Sequence, residues 1–121
     1  MAASALVDAG FVVALLSRRD DNHRWAAEVS ETFQLLGRPG IASVASLLRR
    51  GILISGYRFA DDPDAVLKLL EKYSQVPMSF ADACLVRMTE VVNDPTLLTT
   101  DSDFRIYRRH GRQMIPCVLP R

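Results

Sequence analysis

Apolar residues in this chain come in two spacings that alternate along it. Short runs without charge, at residues 3–7, 96–100 and 114–119, read as buried strands. Longer stretches carry apolar positions three and four apart and read as helices. The first run leads into an apolar helix over 10–16, with Asp8 placed to cap it. A polar turn fills 17–22. A second helix then runs from His23 through Glu31 to Leu36, where Gly37-Arg38-Pro39-Gly40 stops it. A third spans 41–50 on Ile41, Val44, Ala45, Leu47 and Leu48, and ends at Gly51.

The second half continues the alternation. Residues 52–59 read as a strand. Asp62-Pro63 supplies an N-cap with proline at the first helical position, opening an amphipathic helix to Tyr73. A helix over 79–92 begins with Ser79-Phe80-Ala81-Asp82, which fits a capping box. Residues 104–109 read as a short helix. Pro116 puts the last strand at a sheet edge, where its missing N–H does little harm. The whole pattern, residues 1–121, is that of one α/β domain with a mainly parallel sheet, without repeat or linker.

Three apolar runs each end on an aspartate: Ala5-Leu6-Val7 on Asp8, Pro77-Met78-Ser79-Phe80-Ala81 on Asp82, and Leu97-Leu98-Thr99-Thr100 on Asp101. The carboxyl ends of parallel strands form one rim of an open sheet, and ligands bind there. Each acid also has a plain structural role as a helix cap, stabilising by about 0.5–2 kcal/mol. As a set they are harder to explain by capping. Several carboxylates on one rim repel unless a cation binds or a proton is taken up. Asp103, two residues past Asp101, adds a fourth. A hard divalent cation, Mg²⁺ or Mn²⁺, suits such a cluster and would serve phosphodiester chemistry.

Composition narrows the field. A formal charge of +1 over 121 residues is no nucleic-acid signature by itself, but Arg105, Arg108, Arg109 and Arg112 crowd just after the last acid, with Arg49 and Arg50 as a smaller group. Such a basic flank can hold a phosphate backbone near an acidic centre. Equally, it can be a solvated face. Cys84 and Cys117 lack metal-type spacing, so a reduced, cytoplasmic protein is expected. Asp8 comes too early for a signal peptide, and no apolar run approaches a membrane span. His23 and His110 sit far apart in charged contexts, and no nucleophile–histidine–acid set or glycine-rich phosphate loop is present. Asp8-Ala9-Gly10 lacks the second acid of an aspartyl-phosphate phosphatase.

The residues resemble a family. Val7-Asp8-Ala9-Gly10 followed by Val13-Ala14-Leu15-Leu16 is similar to the opening of PIN-domain ribonucleases, the VapC-type toxins of toxin–antitoxin pairs. Met78 to Val86 and Leu97-Leu98-Thr99-Thr100-Asp101-Ser102-Asp103-Phe104 resemble its two later acidic motifs, and Arg105 to Gly111 extends the similarity. The resemblance implies a PIN-like three-layer α/β/α sandwich with Asp8, Asp82 and Asp101 as catalytic, metal-binding acids. Asp103 would be an auxiliary metal-binding acid, Thr99 and Ser102 polar supports, and Arg105, Arg108, Arg109 and Arg112 the RNA-binding group. Glu31, within Val29 to Leu36, matches the family's remaining catalytic and metal-binding acid.

The family pattern also places the rest of a helix and a strand between Ala27 and Glu28, which this chain lacks, so the implied sheet is one strand short. An alternative alignment keeps a strand over 40–43, makes 25–36 the preceding helix and loses the glutamate. The implied activity is hydrolysis of RNA by a Mg²⁺- or Mn²⁺-dependent endoribonuclease, with a cognate antitoxin and a second copy of the chain as partners and no membrane. A catalytically degenerate domain acting only through antitoxin or self-association is the main alternative, and a metal-dependent DNA nuclease or phosphatase a weaker one.

Overall fold

A computed structural model describes residues 5–32, 48–51, 53–54 and 56–121, with the backbone only of residues 31 and 32. Its sheet has three parallel strands, β1 (Leu6–Val7), β2 (Leu97–Leu98) and β5 (Cys117–Val118), in the order β1-β2-β5. Leu6 pairs with Leu97 and Val7 with Leu98, while Leu97 and Leu98 pair with Cys117 and Val118. Side chains alternate across a pleated sheet, so each register row belongs to one face. Leu6, Leu97 and Cys117 pack into one apolar cluster, and Val7, Leu98 and Val118 into the other.

Each face has its own helical cover. On the second face lie α1 (Ala9–Leu16) and α2 (His23–Thr32). Phe11, Ala14 and Leu15 of α1 are buried at the three-and-four spacing, Ala26 of α2 is buried against them, and Phe11 meets Trp25 edge to face at 5.6 Å. The first face carries α3 (Pro63–Lys72) and α4 (Phe80–Val91). Here Val66 and Leu69 of α3 and Ala83, Leu85 and Val86 of α4 join Phe104, Tyr107 and Ile115. Leu97 and Leu98 are both fully buried, as a central parallel strand covered on two sides requires. Each contributes roughly 1.5–3 kcal/mol by leaving water.

Two buried polar groups are satisfied locally. Ser30 donates to the Ala27 carbonyl at 2.8 Å and Thr89 to the Val86 carbonyl at 2.6 Å, closing bonds within their own helices. His23, half-buried, places Nδ1 2.9 Å from the Ala14 carbonyl, tying the start of α2 to α1. Gly51 follows the helical end at 48–49 with φ +69° and donates to the Leu48 carbonyl at 3.1 Å, the left-handed stop read from the sequence. The rest of the helix expected over 41–50 and the strand expected over 40–43 lie outside the described residues.

Three expected elements are corrected. The described residues of 52–59 form no strand: 53–54 and 56–58 are irregular, and Phe59–Asp61 is a 3₁₀ turn. A strand needs a partner ladder, and here the chain turns outward, with Ile54 77% exposed and Arg58 paired to Asp61 across that turn. Among the described residues of this stretch, Tyr57 and Phe59 reach the core. The helix over 104–109 is instead a 3₁₀ helix, Ser102–Arg105, followed by a hairpin of β3 (Arg108–Arg109) and β4 (Gln113–Met114). His110 and Gly111, with φ +52° and +78°, provide the two left-handed positions that a tight hairpin turn needs. The strand expected over 114–119 accordingly splits between β4 and β5. Pro116 lies just before β5, an edge strand of the described sheet, and its carbonyl accepts from the Leu97 N–H at 2.9 Å.

Candidate functional site

Asp8 and Asp101 follow the carboxyl ends of two adjacent parallel strands, β1 and β2, separated from β2 in the second case by Thr99 and Thr100. Asp8 caps α1: its Oδ1 accepts from the Phe11 N–H at 2.8 Å. Asp101 caps the 3₁₀ helix: its Oδ1 accepts from the Asp103 N–H at 2.9 Å. Between them stands Thr99, fully buried. Its hydroxyl donates to Asp8 Oδ2 and accepts from the Asp101 N–H at 3.0 Å. One hydroxyl therefore ties the two acids together across the sheet.

Asp82 enters from the helical layer. It closes the capping box of α4, its N–H donating to Ser79 Oγ at 3.0 Å and its Oδ2 accepting from the Ser79 N–H at 3.2 Å. Tyr107 donates to the same oxygen at 3.4 Å. Burial, then the negative charges of Asp82, Asp103 and Asp101, push the Tyr107 phenol far above its ordinary range.

Gly10 belongs to the same rim. A Cβ at this position would lie 2.7 Å from Thr100 Oγ1. The first turn of α1 thus approaches the Thr100 side chain so closely that a Cβ would force it to move.

The remaining sequence candidates fall into distinct groups. Asp103 is half-buried beside Asp101, and Ser102 is exposed at the start of the 3₁₀ helix. Glu31 is in the last turn of α2, but its side chain lies outside the described residues. Among the arginines, Arg108 turns back on the carbonyls of Arg105, Ile106 and Tyr107, at 2.6, 3.2 and 3.2 Å. Arg109 clamps the Thr89 carbonyl with two nitrogens, at 3.1 and 2.6 Å, and holds Gln113 at 2.8 Å. Arg109 thereby secures the hairpin to α4, while Arg108 folds back on the segment that precedes it. Arg105 and Arg112 are exposed.

The sequence reading missed Tyr107, whose only signal was its spacing of three from Phe104. It also assigned Asp62 to capping. Asp62 does sit at the N-cap of α3, before Pro63, but makes no capping bond. Its carboxylate instead accepts from Arg87 Nε at 2.7 Å and from Tyr57 at 3.2 Å. Arg87 also reaches Glu90 at 3.2 Å, and Glu90 accepts from the His110 N–H at 2.6 Å. This chain of contacts braces α3, α4 and the hairpin. The Arg87 guanidinium holds the Asp62 carboxyl below its ordinary range, and burial with the Asp62 contact pushes the Tyr57 phenol up to about 12.

Asp8, Asp82, Asp101 and Asp103 offer only oxygen donors, the chemistry that Mg²⁺ and Mn²⁺ take. Asp82 Oδ1 and Asp101 Oδ2 accept no hydrogen bond among the described residues, which leaves each acid an oxygen for a ligand. Among the described residues no three Asp, Glu, His or Cys side chains are grouped closely enough to hold an ion. No helix of the described residues is long and apolar enough to cross a membrane. Comparison with models of known families, with curated proteins and with solved structures found no match.

Proposed function

We propose that this chain is a metal-dependent endoribonuclease of the PIN type, the toxin of a toxin–antitoxin pair, working in the cytoplasm. One observation carries the reading: the buried Thr99 hydroxyl that joins Asp8 to Asp101 across neighbouring strand ends. A central parallel strand ordinarily fills such a position with an aliphatic residue. A hydroxyl spent there on the Asp8 carboxylate and the Asp101 backbone N–H fits a site where the placing of the two acids matters. Asp82, with one oxygen fixed by Ser79 and Tyr107, supplies the third acid from α4.

In this reading Asp8, Asp82 and Asp101, with Asp103 and Glu31, hold one or two Mg²⁺ or Mn²⁺ ions. The ion's chemistry there is activation of water and neutralisation of charge on the scissile phosphate. The chain's own residues set the donors: Thr99 fixes Asp8 against Asp101, and the capping box fixes Asp82. The exposed Arg105 and Arg112 are free to meet the RNA backbone, whereas Arg108 and Arg109 act by shaping the hairpin that carries them.

The test is cleavage of a mixed set of structured RNAs, with DNA alongside, by parent and Asp101→Asn proteins in Mn²⁺ and in EDTA. Metal-dependent cutting of RNA, lost in Asp101→Asn, is the expected outcome. Cutting of DNA alone would move the assignment to a DNA nuclease. No cutting by a folded parent protein would overturn the nuclease reading.

A second reading draws on α2, which runs unbroken through Ala27 and Glu28, where the family pattern has a further strand. A domain shortened there can keep its surface for an antitoxin or a second copy while losing catalysis. Calorimetry separates the two: Mn²⁺ binding removed by Asp82→Asn favours the enzyme, and its absence in the parent favours the degenerate relative.

A further inference from the structure

We infer that the β3–β4 hairpin and the end of α3 form one basic surface that binds the phosphate backbone of single-stranded RNA. That the polyanion is RNA rests on the nuclease reading above, whereas the basic surface stands without it.

Residues 104–121 contain five arginines and no Asp or Glu. Arg105 closes the 3₁₀ helix that Asp101 caps, so the basic segment begins where the acids end. The fold adds a cation from 39 positions away. Lys72 Nζ, in the last turn of α3, donates to the Gly111 carbonyl at 3.2 Å, at the hairpin tip that continues into the exposed Arg112.

These charges are not neutralised within the protein. Among the described residues Lys72, Arg105, Arg108, Arg109 and Arg112 form no ion pair. Arg108 and Arg109 spend their donors on carbonyls and on Gln113, all neutral acceptors, so each keeps its full charge. Glu90 accepts from the His110 N–H but is paired with Arg87. Glu71 stands next to Lys72, where consecutive helical side chains do not face each other. Unpaired cations on one hairpin and its neighbouring helix end repel, and a bound polyanion relieves that.

Interfaces between proteins keep charge out of their core, whereas nucleic-acid interfaces are polar and positively charged. The exposed apolar residues of this segment are only Ile106 and Met114 among the described residues. That balance favours a phosphate backbone over an acidic protein.

The experiment follows binding of a labelled, mixed-sequence single-stranded RNA by fluorescence anisotropy in EDTA, from about 50 to 200 mM salt. Lys72→Gln with Arg112→Gln should bind about tenfold or more weakly at low salt. Its slope of log affinity against log salt should be shallower by about 1.4, two contacts at about 0.7 each. Arg112→Gln alone, at an exposed side chain, should lose about half of that slope. Lys72→Arg with Arg112→Lys keeps both charges and should bind as the parent does. Arg18→Gln with Arg19→Gln removes the same charge from the exposed turn after α1, on the other face of the sheet, and should also bind as the parent does.

Equal losses in the two paired glutamine variants would reduce the effect to net charge and overturn the inference. So would unchanged binding without Lys72 and Arg112, or a folded parent that binds polyglutamate and no RNA. Cleavage in Mn²⁺, measured alongside, separates the two readings. The predicted binding losses in a protein that never cuts keep the surface and remove the nuclease, and cutting with unchanged binding does the reverse.

Discussion

Replacing Thr99 by valine keeps the size and branching of the side chain and removes one oxygen. That oxygen makes two bonds, one to a carboxylate and one from a backbone N–H. A hydrogen bond to a charged group contributes about 1.5–3 kcal/mol and a neutral one about 0.5–1.5 kcal/mol. Against this loss, the extra methyl of valine in a fully buried position returns about 0.8 kcal/mol. Asp8 is half-buried, so water recovers part of the first bond. The net loss is about 2–3 kcal/mol, or roughly 10 °C in Tm for a domain of this size.

Thr99→Ser makes the opposite change, keeping both bonds and losing a methyl, for about 1 kcal/mol. Chemical denaturation followed by circular dichroism should therefore rank the variants parent, serine, valine, with the slope of the transition unchanged. Hydrophobic burial alone predicts the reverse order of the two variants. A valine variant more stable than the parent would show that the hydroxyl bridge contributes nothing to the fold.

Other outcomes follow from single contacts. Gly10→Ala should destabilise by about 1 kcal/mol or more despite alanine's higher helix propensity, because its Cβ meets Thr100 Oγ1 at 2.7 Å; in a Thr100→Ala background the sign should reverse, as thermal unfolding would show. Ser79→Ala removes the acceptor for the Asp82 N–H and should cost about 1 kcal/mol by the same measurement. Asp62, held below its unfolded pKa by Arg87, binds fewer protons when folded, so stability rises with pH through that window. Its contribution is complete above the ordinary carboxylate range and lost as pH falls through the folded value; the stability gap between parent and Asp62→Asn should therefore close on acidification, and a gap constant from pH 7 to pH 2 would refute the coupling.

The elements most legible in the sequence were those whose ends carry their own chemistry. Asp8 before α1, Ser79 with Asp82 before α4, Pro63 opening α3 and Gly51 closing a helix all act within four residues, so local pattern suffices. Residues 52–59 failed because alternation shows that a segment can pair, not that a neighbouring strand is available. Residues 104–109 failed because Phe104 and Tyr107, three apart, suit a 3₁₀ turn as well as an α-helix, and the left-handed pair at 110–111 then commits the chain to a hairpin. For the site, strand ends announced Asp8 and Asp101. The bridge through Thr99 and the approach of Tyr107 to Asp82 cross the fold, over 91 and 25 positions of sequence, and no local pattern encodes them.

Capping and ligation are not rival explanations of these aspartates, because they use different properties of the residue. A cap needs a short side chain with an acceptor oxygen, and asparagine serves about as well as aspartate there. A metal ligand needs the charge. At Asp101 the two demands separate cleanly, since Oδ1 takes the Asp103 N–H and Oδ2 has no donor among the described residues. Asp101→Asn should therefore keep stability within about 0.5 kcal/mol of the parent while abolishing Mn²⁺ binding. If the variant is instead more stable and binds the ion unchanged, the carboxylate is a cap that repels its neighbours. The acids would then be explained by helix starts alone.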